Sequence, residues 1–72
     1  MQRFQVWSSD GCAARIFYGE REAENFQQAC YHLAADDYAF RRKFNPLRLT
    51  YNGDKLYPSE QALIDSFTQQ EA

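Results

Sequence analysis

The sequence predicts a small α+β domain: two antiparallel hairpins forming one sheet, one main helix, and a short C-terminal helix. Three observations carry this reading. Apolar residues alternate on either side of two turn signals, Ser9-Asp10-Gly11 and Asn52-Gly53; a period near 3.6 runs between them; and Ser59 opens a last amphipathic stretch. The predicted order is strand-strand-helix-(helix)-strand-strand-helix, in a single domain spanning residues 1–72 with residues 69–72 as a frayed tail.

The first hairpin has two candidate registers. A two-residue Asp10-Gly11 turn scatters apolar groups over both faces. A three-residue loop with a left-handed Gly11 sets Ser8 opposite Cys12, and this is the preferred register. It places Phe4, Val6, Cys12, Ala14, Ile16 and Tyr18 on one face, and Arg3, Gln5, Trp7, Ala13, Arg15 and Phe17 on the other.

Helical spacing follows. Ala23, Phe26, Cys30 and Leu33 form a stripe, with Glu20, Glu22 and Glu24 crowding its start, so a helix is expected from about residue 21. The stripe falters at Asp36-Asp37, good cap residues, and resumes with Phe40 and Phe44. We expect a break there and a second short helix ending in Arg41-Arg42-Lys43.

After Pro46 the alternation of Leu47, Leu49 and Tyr51 reads as a strand. A two-residue Asn52-Gly53 turn then pairs Leu49 with Leu56 and Arg48 with Tyr57. Pro58 ends the hairpin, and Ser59 caps a helix from Glu60 that carries Leu63 and Phe67 on one side. The expected core joins Phe4, Val6 and Ile16 of the sheet to Phe26 and Leu33 of the helix.

Composition narrows the function classes. Twelve aromatics outnumber the eight Leu, Ile and Val residues, so rings must build much of the core. A chain of 72 residues leaves little room for a cofactor cleft with a lid. A net charge of −2 argues against strong generic binding to nucleic acid. No apolar run, Phe4 to Ser9 included, approaches the roughly 20 residues of a membrane span. With no secretion signal in view, the expected compartment is the cytoplasm, where Cys12 and Cys30 stay reduced.

No catalytic or metal site is expected, and no cofactor. Cys30 and His32 stand two apart on a helix and point away from each other, and Cys12 alone cannot complete a zinc site. Asp36, Asp37, Asp54 and Asp65 form no recognisable acid-base pair. Gly11, Gly19 and Gly53 occur singly, so no phosphate-binding loop exists.

Two surfaces remain as partner-binding candidates. One is the Arg3, Gln5, Trp7, Arg15 and Phe17 face, whose composition suits a protein interface or the stacking of single-stranded bases, unless the last helix covers it. The other is Arg41-Arg42-Lys43, which also reads simply as a cationic helix end. The favoured function is a non-enzymatic protein-binding module, an inhibitor or adaptor acting by occupying a partner's surface. A single-stranded nucleic-acid binder using Trp7 and Phe17 is the alternative, and a homodimer through the same face is a third use of it. The strand-strand-helix-strand order is similar in outline to several phage-encoded inhibitors of host machinery, anti-CRISPR proteins among them. That likeness is one of topology and assigns no residues.

Overall fold

The computed structural model describes residues 1–9 and 14–70. Its elements are β1 (Gln2–Ser9), β2 (Arg15–Ala23), α1 (Phe26–Asp36), α2 (Tyr38–Lys43), β3 (Phe44–Asn45), β4 (Thr50–Tyr51), β5 (Asp54–Tyr57) and α3 (Glu60–Gln70). The strands form one antiparallel sheet in the order β2-β1-β5-β4-β3. The α+β class and the succession of hairpins and helices are those the sequence predicts, with the two-residue β3 as an addition.

The first hairpin keeps the predicted faces for its paired residues but not the predicted register; Cys12 and Ala13, also assigned to faces, lie outside the described residues. Ser9 pairs with Arg15, Ser8 with Ile16 and Trp7 with Phe17; a bulge follows, after which Val6 pairs with Gly19 and Gln2 with Ala23. The expected pairing of Ser8 with Cys12 is therefore corrected, and Gly11 lies outside the described residues. The faces survive because sliding one strand by an even number of residues leaves side-chain parity unchanged. Ser8 and Ile16 share the inner face, while Trp7 and Phe17 share the outer one.

β2 also runs to Ala23, past the position near residue 21 where a helix was expected. Glu20 and Glu22 are not helix-start acids. They stand opposite Gln5 and Arg3, and the Arg3 guanidinium bonds both carboxylates at 3.0 Å. Alternation continues because Gly19 and the fully buried Ala23 present little bulk to α1, which packs across β2. The helix starts only at Phe26, where the Asn25 side chain accepts the Gln28 N–H at 2.9 Å.

The helix breaks where the aspartates predict it. α1 ends at Asp36, and the Asp37 carboxylate accepts the Phe40 N–H at 3.2 Å, starting α2. Phe40 thereby turns into the inner core with Val6, Cys30, Leu33, Ala34 and Leu56. Its ring stacks on Phe44 at 5.2 Å and Tyr51 at 5.0 Å and meets the Tyr18 ring edge-on at 5.4 Å. Of the expected core, Val6 and Leu33 are central and Phe26 is peripheral. Phe4 reaches the Phe26 ring at 6.2 Å, and Ile16 is half-buried outside the cluster.

The second hairpin has the predicted register as far as Leu49 and Leu56, but the expected pairing of Arg48 with Tyr57 does not form, because Arg48 lies in a turn and Tyr57 pairs with Trp7. Thr50 faces Lys55 and Tyr51 faces Asp54 across a turn with positive φ at Asn52 and Gly53, and the Leu56 N–H donates to the Leu49 carbonyl at 3.0 Å. The strand is shorter than expected, however. Residues 46–49 form a tight turn and leave Leu47 94% exposed. The cause is Asn45, whose side chain accepts the Leu47 N–H at 3.0 Å and holds a turn in place of an extended chain. Ser59 caps α3 as predicted, accepting the Ala62 N–H at 3.1 Å.

Candidate functional site

Register places three aromatics in one row on the outer face. Phe17 of β2 lies opposite Trp7 of β1, and Trp7 lies opposite Tyr57 of β5. The Trp7 and Phe17 rings meet at 5.0 Å with their planes tilted by 51°. Trp7 is half-buried, and its indole N–H donates to the Gln5 side-chain oxygen at 2.8 Å. Phe17 is 50% exposed. Tyr57 is a member that sequence reasoning missed; the Asn52-Gly53 register was known, but the pairing of β5 with β1 is long-range and left no local signal.

Five candidate residues are thus brought together: Arg3, Gln5, Trp7, Arg15 and Phe17 all point to the outer face. The arginines are already engaged. Arg3 bridges Glu20 and Glu22, and Arg15 bonds Glu60 at 3.0 Å. Glu60 belongs to the first turn of α3, which packs against β1 and β5, and the fully buried Leu63 of that helix stands apart from the inner cluster. The helix therefore lies along the outer face and covers part of it, leaving the Phe17 end open. Both expectations for this face, covered or open, hold for a portion of it.

Arg41, Arg42 and Lys43 are elsewhere. They form the last turn of α2, exposed to solvent, on the helix that sends Phe40 into the inner core. The Arg42 guanidinium sits 6.0 Å over the Tyr38 ring. This basic run and the aromatic row are two surfaces, not one.

Among the described residues, Cys30, His32 and Tyr18 are each engaged structurally, and Cys12 lies outside them. Cys30 is fully buried, and burial pushes its thiol up to about 12, so no thiolate forms near neutrality. His32 is exposed, with Nδ1 3.2 Å from the Glu22 carbonyl oxygen; a carbonyl only accepts, so Nδ1 carries the proton in that bond. Burial also raises the Tyr18 hydroxyl, helped by nearby Tyr51 and Asp54 and opposed by the Ser8 hydroxyl bonded to it at 3.1 Å. Ser8 is itself fully buried, and this bond satisfies it. Among the described residues no three His, Cys, Asp or Glu side chains gather as a metal site would require, and no helix is long and apolar enough to cross a membrane.

Comparison of the chain with protein-family models, with curated proteins and with solved structures finds no significant match.

Proposed function

We propose that this chain is a non-enzymatic protein-binding module, an inhibitor or adaptor of the kind phages and other mobile elements encode, that works by occupying a partner's surface. The observation that carries this reading is the state of the arginines beside the Trp7–Phe17 pair. Arg3 and Arg15 are neutralised by Glu20, Glu22 and Glu60 on the same face. Carboxylates there repel phosphate, which weakens the case for single-stranded nucleic acid. An aromatic patch ringed by satisfied charges is instead the composition of a protein interface, with Trp and Arg among its usual anchors.

Size supports the same reading. A standard interface takes about 800 Å² from each partner, roughly a sixth of the 4977 Å² this chain exposes. Cys30 is inert by burial and His32 is tied to a backbone carbonyl, which supports a role in binding over one in chemistry.

The test is capture by the immobilised full chain from a lysate of its source cells, at low and high salt, with and without nuclease. A protein retained by the wild type at both salt levels, insensitive to nuclease and lost with Phe17→Ala, is the expected result. Nucleic acid eluting in place of protein, with capture collapsing at high salt, would overturn it.

A further inference from the structure

Charge is partitioned along this molecule in a way the aromatic row does not use. The stretch from Tyr38 to Leu49 holds four of the eight Lys and Arg residues, Arg41, Arg42, Lys43 and Arg48, and no Asp or Glu. Among the described residues none of the four makes an ion pair, whereas Arg3, Arg15 and Arg21 each hold a carboxylate. All four are exposed. The same stretch also carries two of the three most exposed large hydrophobic side chains among the described residues, Leu47 at 94% and Tyr38 at 73%, the third being Met1.

Leu47 is held out, not merely left out. The Asn45 side chain accepts its N–H at 3.0 Å, and the Asn45 carbonyl accepts the Arg48 N–H at 3.3 Å. Leu49, on the far side of the turn, has φ of +50°, a left-handed conformation that a leucine adopts only at a cost in strain. Its side chain packs on the inner core, anchoring the base of the turn. The last turn of α2 runs straight through β3 into this loop, and the Asn52 N–H donates to the Lys43 carbonyl at 2.9 Å, tying the two together. One aliphatic side chain thus stands at the tip of a hydrogen-bonded turn that follows a run of unpaired cations.

From this geometry we infer that the Asn45–Leu49 turn and the last turn of α2 form a second docking element, whose occupant is an acidic protein segment that also presents apolar side chains. The inference rests on the protein-binding reading above and adds the chemistry of the partner. Charge complementarity sets the sign, since four of the five described Lys and Arg residues without an ion pair lie here, Lys55 being the fifth, in a chain that is acidic overall. Leu47 sets the class. An aliphatic tip gives nothing to a base or a phosphate, and the exposed Tyr38 ring of the same stretch already has the Arg42 guanidinium 6.0 Å over one face. A single inserted leucine is also too little apolar area to hold a membrane. An acidic segment with leucine or phenylalanine side chains matches both halves of the surface.

The experiment is an NMR titration of the isotope-labelled full chain with four probes: a synthetic peptide alternating Glu with Leu and Phe, poly-glutamate, a single-stranded oligothymidylate, and vesicles of phosphatidylcholine with phosphatidylserine. The mixed peptide should perturb amides from Tyr38 to Leu49 and bind more tightly than poly-glutamate. Leu47→Ser should weaken it by about tenfold, the value of burying one leucine, without changing the melting temperature. Arg41, Arg42 and Lys43 changed together to Gln should slow association and flatten its salt dependence. Equal binding of poly-glutamate with no effect of Leu47→Ser overturns the inference, as does absence of any shift in this stretch. Shifts confined to Trp7, Phe17 and Tyr57 overturn it while leaving the protein-binding reading intact. Tightest binding to the oligonucleotide or the vesicles overturns both.

Discussion

Leu33 Cδ1 occupies the space in which a side chain at position 19 would begin: a Cβ built on Gly19 comes within 3.0 Å of it. Leu33 is in the centre of the inner core and cannot retreat without disturbing Val6 and Cys30 beside it. Gly19 therefore sets how closely α1 approaches β2, just past the bulge that restores the strand's alternation. Its φ of +158° adds a backbone preference to the steric one. Gly19→Ala should destabilise the fold by about 1–3 kcal/mol, the usual cost of overpacking a core. Urea denaturation read by tryptophan fluorescence checks this, and Leu33→Ala should cost less in the Gly19→Ala background than in the wild type, because the truncation also relieves the clash.

Phe40 should be the costliest single truncation. It is 2% exposed and contacts Tyr18, Phe44 and Tyr51 ring to ring. Phe40→Ala is expected to remove about 3–5 kcal/mol, most of what a domain this small possesses. Phe26, which helical spacing marks as equally central, is only half-buried at the rim of the cluster, so Phe26→Ala should cost less. Thermal melts of the two variants measured side by side settle the order.

Cys30 links stability to alkaline pH. Its thiol ionises near 9 in an unfolded chain and near 12 when buried. The folded state holds the proton more tightly, so this contribution is complete below pH 9 and is lost as pH rises from 9 toward 12, at about 1.4 kcal/mol per pH unit. Cys30→Ala should be somewhat less stable at pH 7 yet lose less on going from pH 9 to 11. The difference between the two proteins is the useful measurement, because the five tyrosines titrate in the same range in both. In a Cys12→Ser background, Cys30 should resist iodoacetamide until denaturant is added.

What could be read from sequence was what local chemistry decides. Asn52-Gly53, Ser59 and Asp37 each act within four residues, through a left-handed turn or a capping bond, and each is where the sequence puts it. The five residues of the Trp7 face were legible for a different reason: parity alone assigns them, and parity tolerates an error in register. The continuation of β2 through Glu20 and Glu22 was not legible, since it depends on Arg3, 17 and 19 residues away, and on the helix that rests on Gly19. Leu47 was misread because alternation over Leu47, Leu49 and Tyr51 looks like a strand, while the Asn45 side chain holds a turn there. Tyr57 joined the aromatic row only through the pairing of β1 with β5, strands separated by more than forty residues.

The outer face should separate binding from folding at Phe17 more cleanly than at Trp7. Phe17 is 50% exposed and its one ring partner is Trp7, so Phe17→Ala should cost about 1 kcal/mol of stability or less. Trp7 is half-buried, bonds Gln5 and centres the row, so Trp7→Ala should lower both stability and affinity. Arg15→Ala breaks only an exposed pair with Glu60, worth about 0.2–1 kcal/mol. If this face anchors a protein partner, calorimetric titration should show a loss of at least about 2 kcal/mol of binding for Phe17→Ala at nearly unchanged melting temperature. Arg15→Ala should show a smaller loss, because its guanidinium must first leave Glu60 to serve the partner. Full affinity in Phe17→Ala would remove the aromatic row from the interface, for no other ring on that face is as open and as dispensable to the fold.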